Sequence, residues 1–279
     1  MQGPELPGLV GASSIWDEVT GRIADLAVTS QYLLITGERG VGKLHVASVI
    51  GAVIGLSPAV FDTSEAAALG PANWLQKLEA ALAEMDESIV VLTRLDRLDP
   101  KGLNALADVV SGLPQRIVAT AVAPERHRSR QDRFGSLRLF TDRVHIPALR
   151  HRPEDVVLLA RHFDRRDGAG QLVWTADALE EMKRYLWPGN VKELEHVVRD
   201  LIGLSPTIEV HMELLPEELR RSVQRRPQTR LEEAEVDVML DALTEADGNK
   251  DVAAHLIGMH RATLYRKLQN YGLDSMSES

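Results

Sequence analysis

A glycine-rich loop carries the clearest chemical pattern in the first half of this 279-residue sequence. It consists of Gly37, Glu38, Arg39, Gly40, Val41, Gly42 and Lys43. The apolar run at residues 33–35 predicts a strand that enters the loop, and residues 43–54 have the pattern of a helix that leaves it. Glycines let such a backbone curve around an anion, helix N–H groups point at it, and a lysine neutralises its charge. The pattern predicts a polyphosphate site.

The position after the lysine departs from this pattern. A Ser or Thr that places its hydroxyl on magnesium normally follows the lysine, and this sequence has Leu44. The loop is therefore complete for binding an anion and incomplete for metal-dependent catalysis. A glycine-rich turn that binds nothing is the alternative interpretation.

The elements around the loop alternate between strands and helices up to residue 146. Helical spacing occurs at residues 15–28, 74–85 and 102–110, and short apolar runs occur at residues 60–61, 89–92, 117–119 and 144–146. This alternation predicts an α/β fold with a parallel sheet covered by helices, over residues 1–147.

Only helices are predicted after residue 146. The pattern at residues 153–166, 175–186 and 191–204 indicates a small all-α domain over residues 148–218. Residues 219–230 follow as a predicted mobile linker with five arginines, Arg220, Arg221, Arg225, Arg226 and Arg230. These arginines could contact a phosphate backbone or form a solvated charge run.

The C-terminal residues 231–279 predict an all-α helix-turn-helix domain. A helix at 250–257, with Val252, Ala253, Leu256 and Ile257 inward, is followed by a turn and a helix at 261–270. We expect the opposite side of this last helix to enter the major groove of double-stranded DNA. The candidate DNA-binding residues are Lys250, His260, Arg261, Thr263, Arg266, Lys267 and Asn270.

The preceding helix, residues 231–246, is apolar over a wide arc. Leu231, Ala234, Val238 and Ala242 form one side, and a second side is formed by Val236, Met239, Leu240 and Leu243. A small domain cannot bury both sides by itself, so we expect one side to pack on a second copy of the chain. Such a homodimer predicts an operator that is an inverted repeat.

Composition excludes several classes of protein. The net charge of −9 argues against nonspecific DNA binding by the whole chain, so the contact must be local. The sequence has no Cys, which removes disulfides and thiolate chemistry and is compatible with the cytoplasm. No apolar stretch is long enough for a membrane span, and the nine His residues show no metal-ligand spacing.

Three motifs resemble those of bacterial enhancer-binding proteins, the AAA+ activators of sigma-54 RNA polymerase. WPGNVKELE at residues 187–195 resembles their lid signature WPGNVRELE, and GERGVGK resembles their GESGTGK loop. Residues 248–273 are similar to their Fis-type helix-turn-helix, and residues 146–150 match the start of their lid. The resemblance spans residues 9–273 and does not include the amino-terminal sensory domain that such regulators usually carry. It implies ATP as the ligand of the loop, with Lys192 at the lid position that senses nucleotide, and Arg138 at one arginine-finger position with Arg133 near the other.

The sequence departs from that family at the catalytic positions. The family's Asp-Glu pair, which orders magnesium and polarises water, is replaced by Thr93 and Arg94. Asp96 or Asp99 could substitute only from beyond the strand end. Ala121 stands at the polar sensor, and residues 61–87 contain no GAFTGA loop for gripping the sigma factor.

Two functions remain open from the sequence. The first is a DNA-binding transcriptional regulator whose degenerate AAA+ domain binds ATP and assembles into a higher oligomer without a catalytic residue or a magnesium site. The second is an active AAA+ ATPase that remodels RNA polymerase. The sequence favours the first.

Overall fold

The computed structural model describes residues 6–85, 88–122, 139–204, 208–222, 229–246, 248–271 and 273. The chain divides after Pro147 into two compact units, and two short segments, residues 10–13 and 38–41, belong to the second unit. Within the described ranges, no helix is long and apolar enough to cross a bilayer.

A five-stranded parallel sheet forms the centre of the first unit. Its strands are β1 (Tyr32–Gly37), β2 (Pro58–Asp62), β3 (Ile89–Thr93), β4 (Arg116–Val122) and β5 (Asp142–His145). They lie in the order β2-β3-β4-β1-β5, with every pair parallel. Strand β1, which lies between β4 and β5, delivers the glycine-rich loop from the carboxyl edge of the sheet. The predicted α/β parallel sheet is confirmed.

Five helices of this unit are described. They are α1 (Ser14–Thr29), α2 (Lys43–Val53), α3 (Ala66–Leu69), α4 (Pro71–Ala83) and α5 (Pro100–Val110). Helix α4 buries Trp74, Leu78 and Leu82 at helical spacing, in the same core cluster as the sheet residues Val90 and Leu92. This apolar stripe is what fixes the helix on the sheet.

The second unit begins with the helices of the predicted lid. These are α6 (Pro153–Gly168), α7 (Ala176–Arg184), α8 (Asn190–Leu204) and α9 (Glu217–Ser222). Two three-residue strands, β6 (Leu172–Trp174) and β7 (Ile208–Val210), also pair in parallel here. The expectation that no strand follows residue 146 is therefore wrong, because segments of three residues are too short to show an alternating pattern.

The predicted linker at residues 219–230 is partly helical. Its first residues belong to α9, where Leu219 is buried in the lid core, and Arg230 begins the next helix. The linker prediction is wrong for these residues, because a buried leucine anchors a segment that its arginines had suggested was solvated. Arg225 and Arg226 lie outside the described residues.

Three helices form the C-terminal part of the second unit: α10 (Arg230–Glu245), α11 (Lys250–Leu256) and α12 (Arg261–Tyr271). A capping box between Thr229 and Glu232 starts α10, and the Asn249 side chain caps α11. Their shared core is built from Val236, Met239, Leu240, Leu243, Ala253, Ala254, Leu264 and Leu268.

Helix α11 presents a different side to this core than the sequence predicted. Ala253 and Ala254 are buried, whereas Val252 and Leu256 are 47% and 45% exposed. The prediction that Val252 and Leu256 point inward is therefore wrong. The small alanines are the residues that let this short helix approach its neighbours closely, and that contact sets its rotation.

Candidate nucleotide loop and nucleic-acid interface

The glycine-rich loop has the backbone that its sequence predicts. Gly42 precedes α2 with a φ of 100°, in the left-handed region that favours glycine. Gly40 has a φ of 76°, and a Cβ at this position would lie 2.1 Å from the Gly189 carbonyl oxygen. The Lys43 ammonium donates to the Gly37 carbonyl at 2.9 Å, which holds the side chain back along the loop. Leu44 follows at the start of α2 and is 45% exposed.

The lid signature contacts this loop through backbone and side-chain hydrogen bonds. The Lys192 N–H donates to the Gly40 carbonyl at 3.0 Å, and the Lys192 side chain is exposed. The Asn190 amide donates to the Arg39 carbonyl at 3.0 Å and to Glu38 at 3.0 Å, and it accepts from the Leu149 N–H at 2.8 Å. The lid helix α8 therefore fixes the first half of the loop. Arg133 and Arg138 lie outside the described residues.

Glu38 is buried in a cluster of charges that the sequence did not reveal. Its two carboxylate oxygens accept from the Arg150 guanidinium at 2.9 and 2.6 Å. Burial alone would raise the pKa of Glu38, but hydrogen bonds from Arg150 and Asn190 and the charge of Arg150 lower it below its usual range. Glu38 is therefore a carboxylate committed to Arg150.

Arg150 also contacts the first helix of the C-terminal domain. Its Nε donates to Asp237 on α10 at 2.8 Å, and His151 Nε2 lies 3.1 Å from the same carboxylate oxygen. Burial would raise the pKa of Asp237, but hydrogen bonds from His151 and Arg150 lower it to about 2. These residues lie 87 and 112 positions from one another along the chain, so no local sequence pattern could have connected them.

At the end of β3, the positions expected to hold two carboxylates carry a hydroxyl and a cation. The Thr93 hydroxyl donates to the Phe61 carbonyl at 3.5 Å. Arg94 has a left-handed backbone and forms an ion pair with Asp62 at 3.2 Å. The Thr93 hydroxyl is therefore engaged by a backbone carbonyl and Arg94 carries a positive charge, so neither position offers the carboxylate oxygens that the resemblance leads us to expect there.

The two nearby carboxylates have structural roles. Asp96 accepts from the Val122 N–H at 2.8 Å, and Asp99 caps α5 by accepting from the Gly102 N–H at 2.7 Å. Ala121 is fully buried in β4 and offers only a methyl group. Among the described residues, no cluster of three or more His, Asp or Glu side chains could hold a metal ion. The carboxylates of Asp96 and Asp99 are thus engaged by backbone N–H groups at the strand ends beside the loop.

Helix α12 has a buried side and an exposed side. Leu264 and Leu268 are buried, whereas six residues lie on the exposed side: Arg261, Ala262, Tyr265, Arg266, Gln269 and Asn270. Thr263 is half-buried, and His260, which precedes the helix, is exposed. Tyr265 and Gln269 were not predicted as candidates, although their spacing from Arg261 and Arg266 places them on the same side.

Both lysines of the predicted DNA-binding set have partners within the domain. Lys267 forms an ion pair with Glu235 of α10 at 2.6 Å, and Glu235 also accepts from the Tyr271 hydroxyl at 3.0 Å. Lys250 is only 8% exposed, and its ammonium lies 5.1 Å from the centre of the Tyr265 ring. We therefore expect both lysines to support the reading helix rather than to face DNA.

Tyr265 also holds Arg261 in place. The Arg261 guanidinium lies 5.2 Å from the centre of the Tyr265 ring, and its Nε donates to Asp251 at 2.8 Å. Both Arg261 and Asp251 remain more than half exposed. The contacts pre-orient the arginine at the amino end of α12, the end that enters the groove in helix-turn-helix proteins.

Comparison with known proteins bears on both parts of the second unit. Residues 150–232 match the family model of the AAA+ ATPase lid domain, and residues 230–271 match that of the bacterial regulatory proteins of the Fis family. The predicted lid and helix-turn-helix are thereby confirmed.

Two curated relatives are similar over nearly the whole chain. The propane 2-monooxygenase operon transcriptional activator MimR of Mycolicibacterium goodii is 32% identical over 276 residues, which is 96% of this chain and 46% of the relative. The transcriptional regulatory protein ZraR of Escherichia coli K12 is 29% identical over 305 residues, covering 94% of this chain and 68% of the relative. The chain thus spans about half the length of the MimR regulators it matches.

A similar fold occurs in NtrX of Brucella abortus, solved in complex with ATP. The two chains are 25% identical with a TM-score of 0.64, and the match covers 95% of this chain and 69% of NtrX. Together with the lid, the helix-turn-helix and the parallel sheet, these similarities identify the chain as a homologue of the bacterial sigma-54-dependent AAA+ transcriptional activators.

Proposed function

We propose that this chain is a sequence-specific DNA-binding transcriptional regulator whose AAA+ domain binds ATP, hydrolyses it poorly and does not engage sigma-54. The observation that carries the proposal is the end of β3, where Thr93 and Arg94 replace the family's two carboxylates and Arg94 is paired with Asp62. Phosphoryl transfer depends on metal placement and charge compensation, and these residues supply neither. We propose that such a regulator, which binds double-stranded DNA, acts in the cytoplasm.

ATP binding is supported by the loop itself. The left-handed glycines, the start of α2 and Lys43 together form an anion site, and the similar NtrX chain was solved with ATP and with ADP. In a titration with labelled ATP, Lys43→Ala should weaken binding by about 1.5–3 kcal/mol, the range for a hydrogen bond to a charged group. Lys77→Ala is the matched control, because Lys77 is an exposed lysine bound to Glu65. Equal affinity of wild type and Lys43→Ala for labelled ATP would contradict the proposed nucleotide site.

The proposal that the chain does not engage sigma-54 is supported by the segment between β2 and β3. After Asp62 the chain passes through a short turn into α3, and Gly70 alone separates α3 from α4. The described part of this segment therefore leaves no exposed loop in which a GAFTGA element could sit. Binding of purified sigma-54 to the ATP-loaded chain would contradict this part of the proposal.

DNA binding is supported by the exposed side of α12 and by two exposed apolar residues on α10. Leu231 and Val238 are 80% and 39% exposed and lie seven residues apart, on one side of the helix. We infer that this side pairs with a second copy, so that two α12 helices read an inverted repeat. Ala242, predicted for the same side, is buried within the chain. Footprinting should show two half-sites about one helical turn apart, and a single asymmetric half-site would count against the homodimer.

The second candidate is an active ATPase that remodels RNA polymerase, and the intact loop glycines and Lys43 favour it. Phosphate release in the presence of magnesium and operator DNA separates the two functions. Steady turnover that Lys43→Ala abolishes would establish the ATPase, and its absence would contradict this second function.

A further inference from the structure

Arg150 connects the glycine-rich loop with the first helix of the DNA-binding domain. One edge of its guanidinium holds both oxygens of Glu38, at 2.6 and 2.9 Å, and its Nε holds Asp237 at 2.8 Å. The Arg150 side chain is 6% exposed, and those of Glu38 and Asp237 are 8% and 11% exposed. A single buried cation is thus shared between a carboxylate of the glycine-rich loop and a carboxylate of α10.

Such a cluster is sensitive to the loss of any member. A buried ion pair becomes costly when one partner leaves, because the remaining charge has neither water nor a counterion. Two carboxylates share the positive charge of one guanidinium, and His151 Nε2 lies 3.1 Å from the Asp237 oxygen that Arg150 also holds. Movement of α10 away from Arg150 would therefore disturb Glu38 as well.

Glu38 matters to the loop because of its charge. A carboxylate released from Arg150 within a phosphate-binding loop would repel a polyphosphate. The cluster keeps this carboxylate neutralised, and Asn190 fixes the same carboxylate and the neighbouring Arg39 carbonyl. The loop is therefore ready for an anion only while Arg150 stays in position.

We propose that Asp237, on the DNA-binding domain, is a positioning residue of the nucleotide loop, and that ATP binding and DNA binding are coupled through Arg150. The proposal rests on the proposed ATP site. Coupling between two ligands is reciprocal, so DNA must change the affinity for ATP by the same factor by which ATP changes the affinity for DNA. Typical factors lie between about 5 and about 150.

The test uses the whole chain and two titrations. The affinity for labelled ATP is measured with and without a DNA site selected from random sequences, and the affinity for that DNA is measured with and without ATP. In wild type we expect DNA to change the ATP affinity by the same factor by which ATP changes the DNA affinity. We expect this coupling factor to differ from one. In Asp237→Asn, which keeps the shape of the side chain, we expect weaker ATP binding and a coupling factor near one.

A matched pair of arginine variants separates this coupling from general damage. Arg150→Lys and Arg166→Lys both replace a guanidinium that two carboxylates hold, but Arg166 is 45% exposed and its carboxylate partners, Asp167 and Glu195, both lie in the lid. Arg150→Lys should lower the coupling factor, and Arg166→Lys should leave it unchanged. Thermal unfolding of each variant verifies that the fold persists.

Three outcomes would overturn the proposal. The first is a coupling factor of one in wild type, and the second is a coupling factor in Asp237→Asn that equals the wild-type value. The third is an equal change of the coupling factor in Arg150→Lys and Arg166→Lys. If wild type binds no ATP at all, the proposed nucleotide site fails and the coupling fails with it. If ATP binds in a Lys43-dependent way without coupling to DNA, the proposed function stands and only the coupling is wrong.

Discussion

The guanidinium of Arg94 lies 3.2 Å from the carboxylate of Asp62, which ends the neighbouring strand β2. The Arg94 Nη1 also donates to the Ser64 hydroxyl at 3.4 Å, and Asp62 accepts from the Ser64 N–H at 2.9 Å. A carboxylate is therefore present at this edge of the sheet, but it is engaged by a cation. Arg94 thus places a positive charge where the resemblance leads us to expect a carboxylate.

This arrangement predicts that magnesium contributes little to nucleotide binding. Because Leu44 has no hydroxyl, the Thr93 hydroxyl donates to the Phe61 carbonyl and the Asp62 carboxylate is paired with Arg94, the affinity for ATP should be nearly equal in magnesium and in EDTA. Calorimetric titration under both conditions measures the difference. The double variant Thr93→Asp, Arg94→Glu should make binding magnesium-dependent by restoring carboxylate ligands. A large loss of affinity in EDTA for the wild type would contradict this prediction.

A second prediction separates two neighbouring basic residues of α12. Arg266 is exposed, so Arg266→Ala should reduce discrimination between operator and random DNA by about 1–3 kcal/mol if the guanidinium reads a base. Lys267 is bound to Glu235, so Lys267→Ala should leave that discrimination unchanged and lower stability by at most about 1 kcal/mol. Fluorescence anisotropy measures the affinity of each variant for operator DNA and for random DNA, and the ratio of these two affinities gives the discrimination. Equal loss of affinity on operator and random DNA for Arg266→Ala would exclude base reading.

A third prediction concerns acid stability. Hydrogen bonds from His151 and Arg150 outweigh the effect of burial and lower the pKa of Asp237 from 3.8 to about 2 in the folded state. The resulting stability is fully present above the unfolded pKa and is lost as the pH falls toward about 2. It amounts to about 2 kcal/mol as an order of magnitude.

Urea unfolding of wild type and Asp237→Asn across this pH range measures that contribution. The difference in unfolding free energy should be constant from about pH 7 to about pH 5 and should shrink below about pH 4. A difference that stays constant or grows down to about pH 3 would show that the Asp237 carboxylate is not stabilised by its partners.

The sequence was sufficient where local patterns decide the structure. The apolar run before Gly37 and the glycines after it predicted the strand, the loop and the helix, because each depends on neighbouring residues. The helix-turn-helix was predicted for the same reason, from the spacing of Leu264 and Leu268 and the turn before α12.

Tertiary contacts decided what the sequence could not predict. The rotation of α11, which leaves Val252 exposed, depends on how closely Ala253 and Ala254 approach the core. Lys267 was expected to face DNA, but its partner Glu235 lies 32 residues earlier in the chain, as the two residue numbers show. The Arg150 cluster joins three distant segments, and a charged residue in isolation gives no indication that it is buried.

Steady-state phosphate release tests the central claim most directly. Wild type, Lys43→Ala and Thr93→Asp, Arg94→Glu are compared at saturating ATP and magnesium, with operator DNA, over a wide range of protein concentration. The account predicts that wild type releases phosphate no faster than Lys43→Ala at every concentration, although it binds ATP. Wild-type turnover that rises with assembly and disappears in Lys43→Ala would contradict the account.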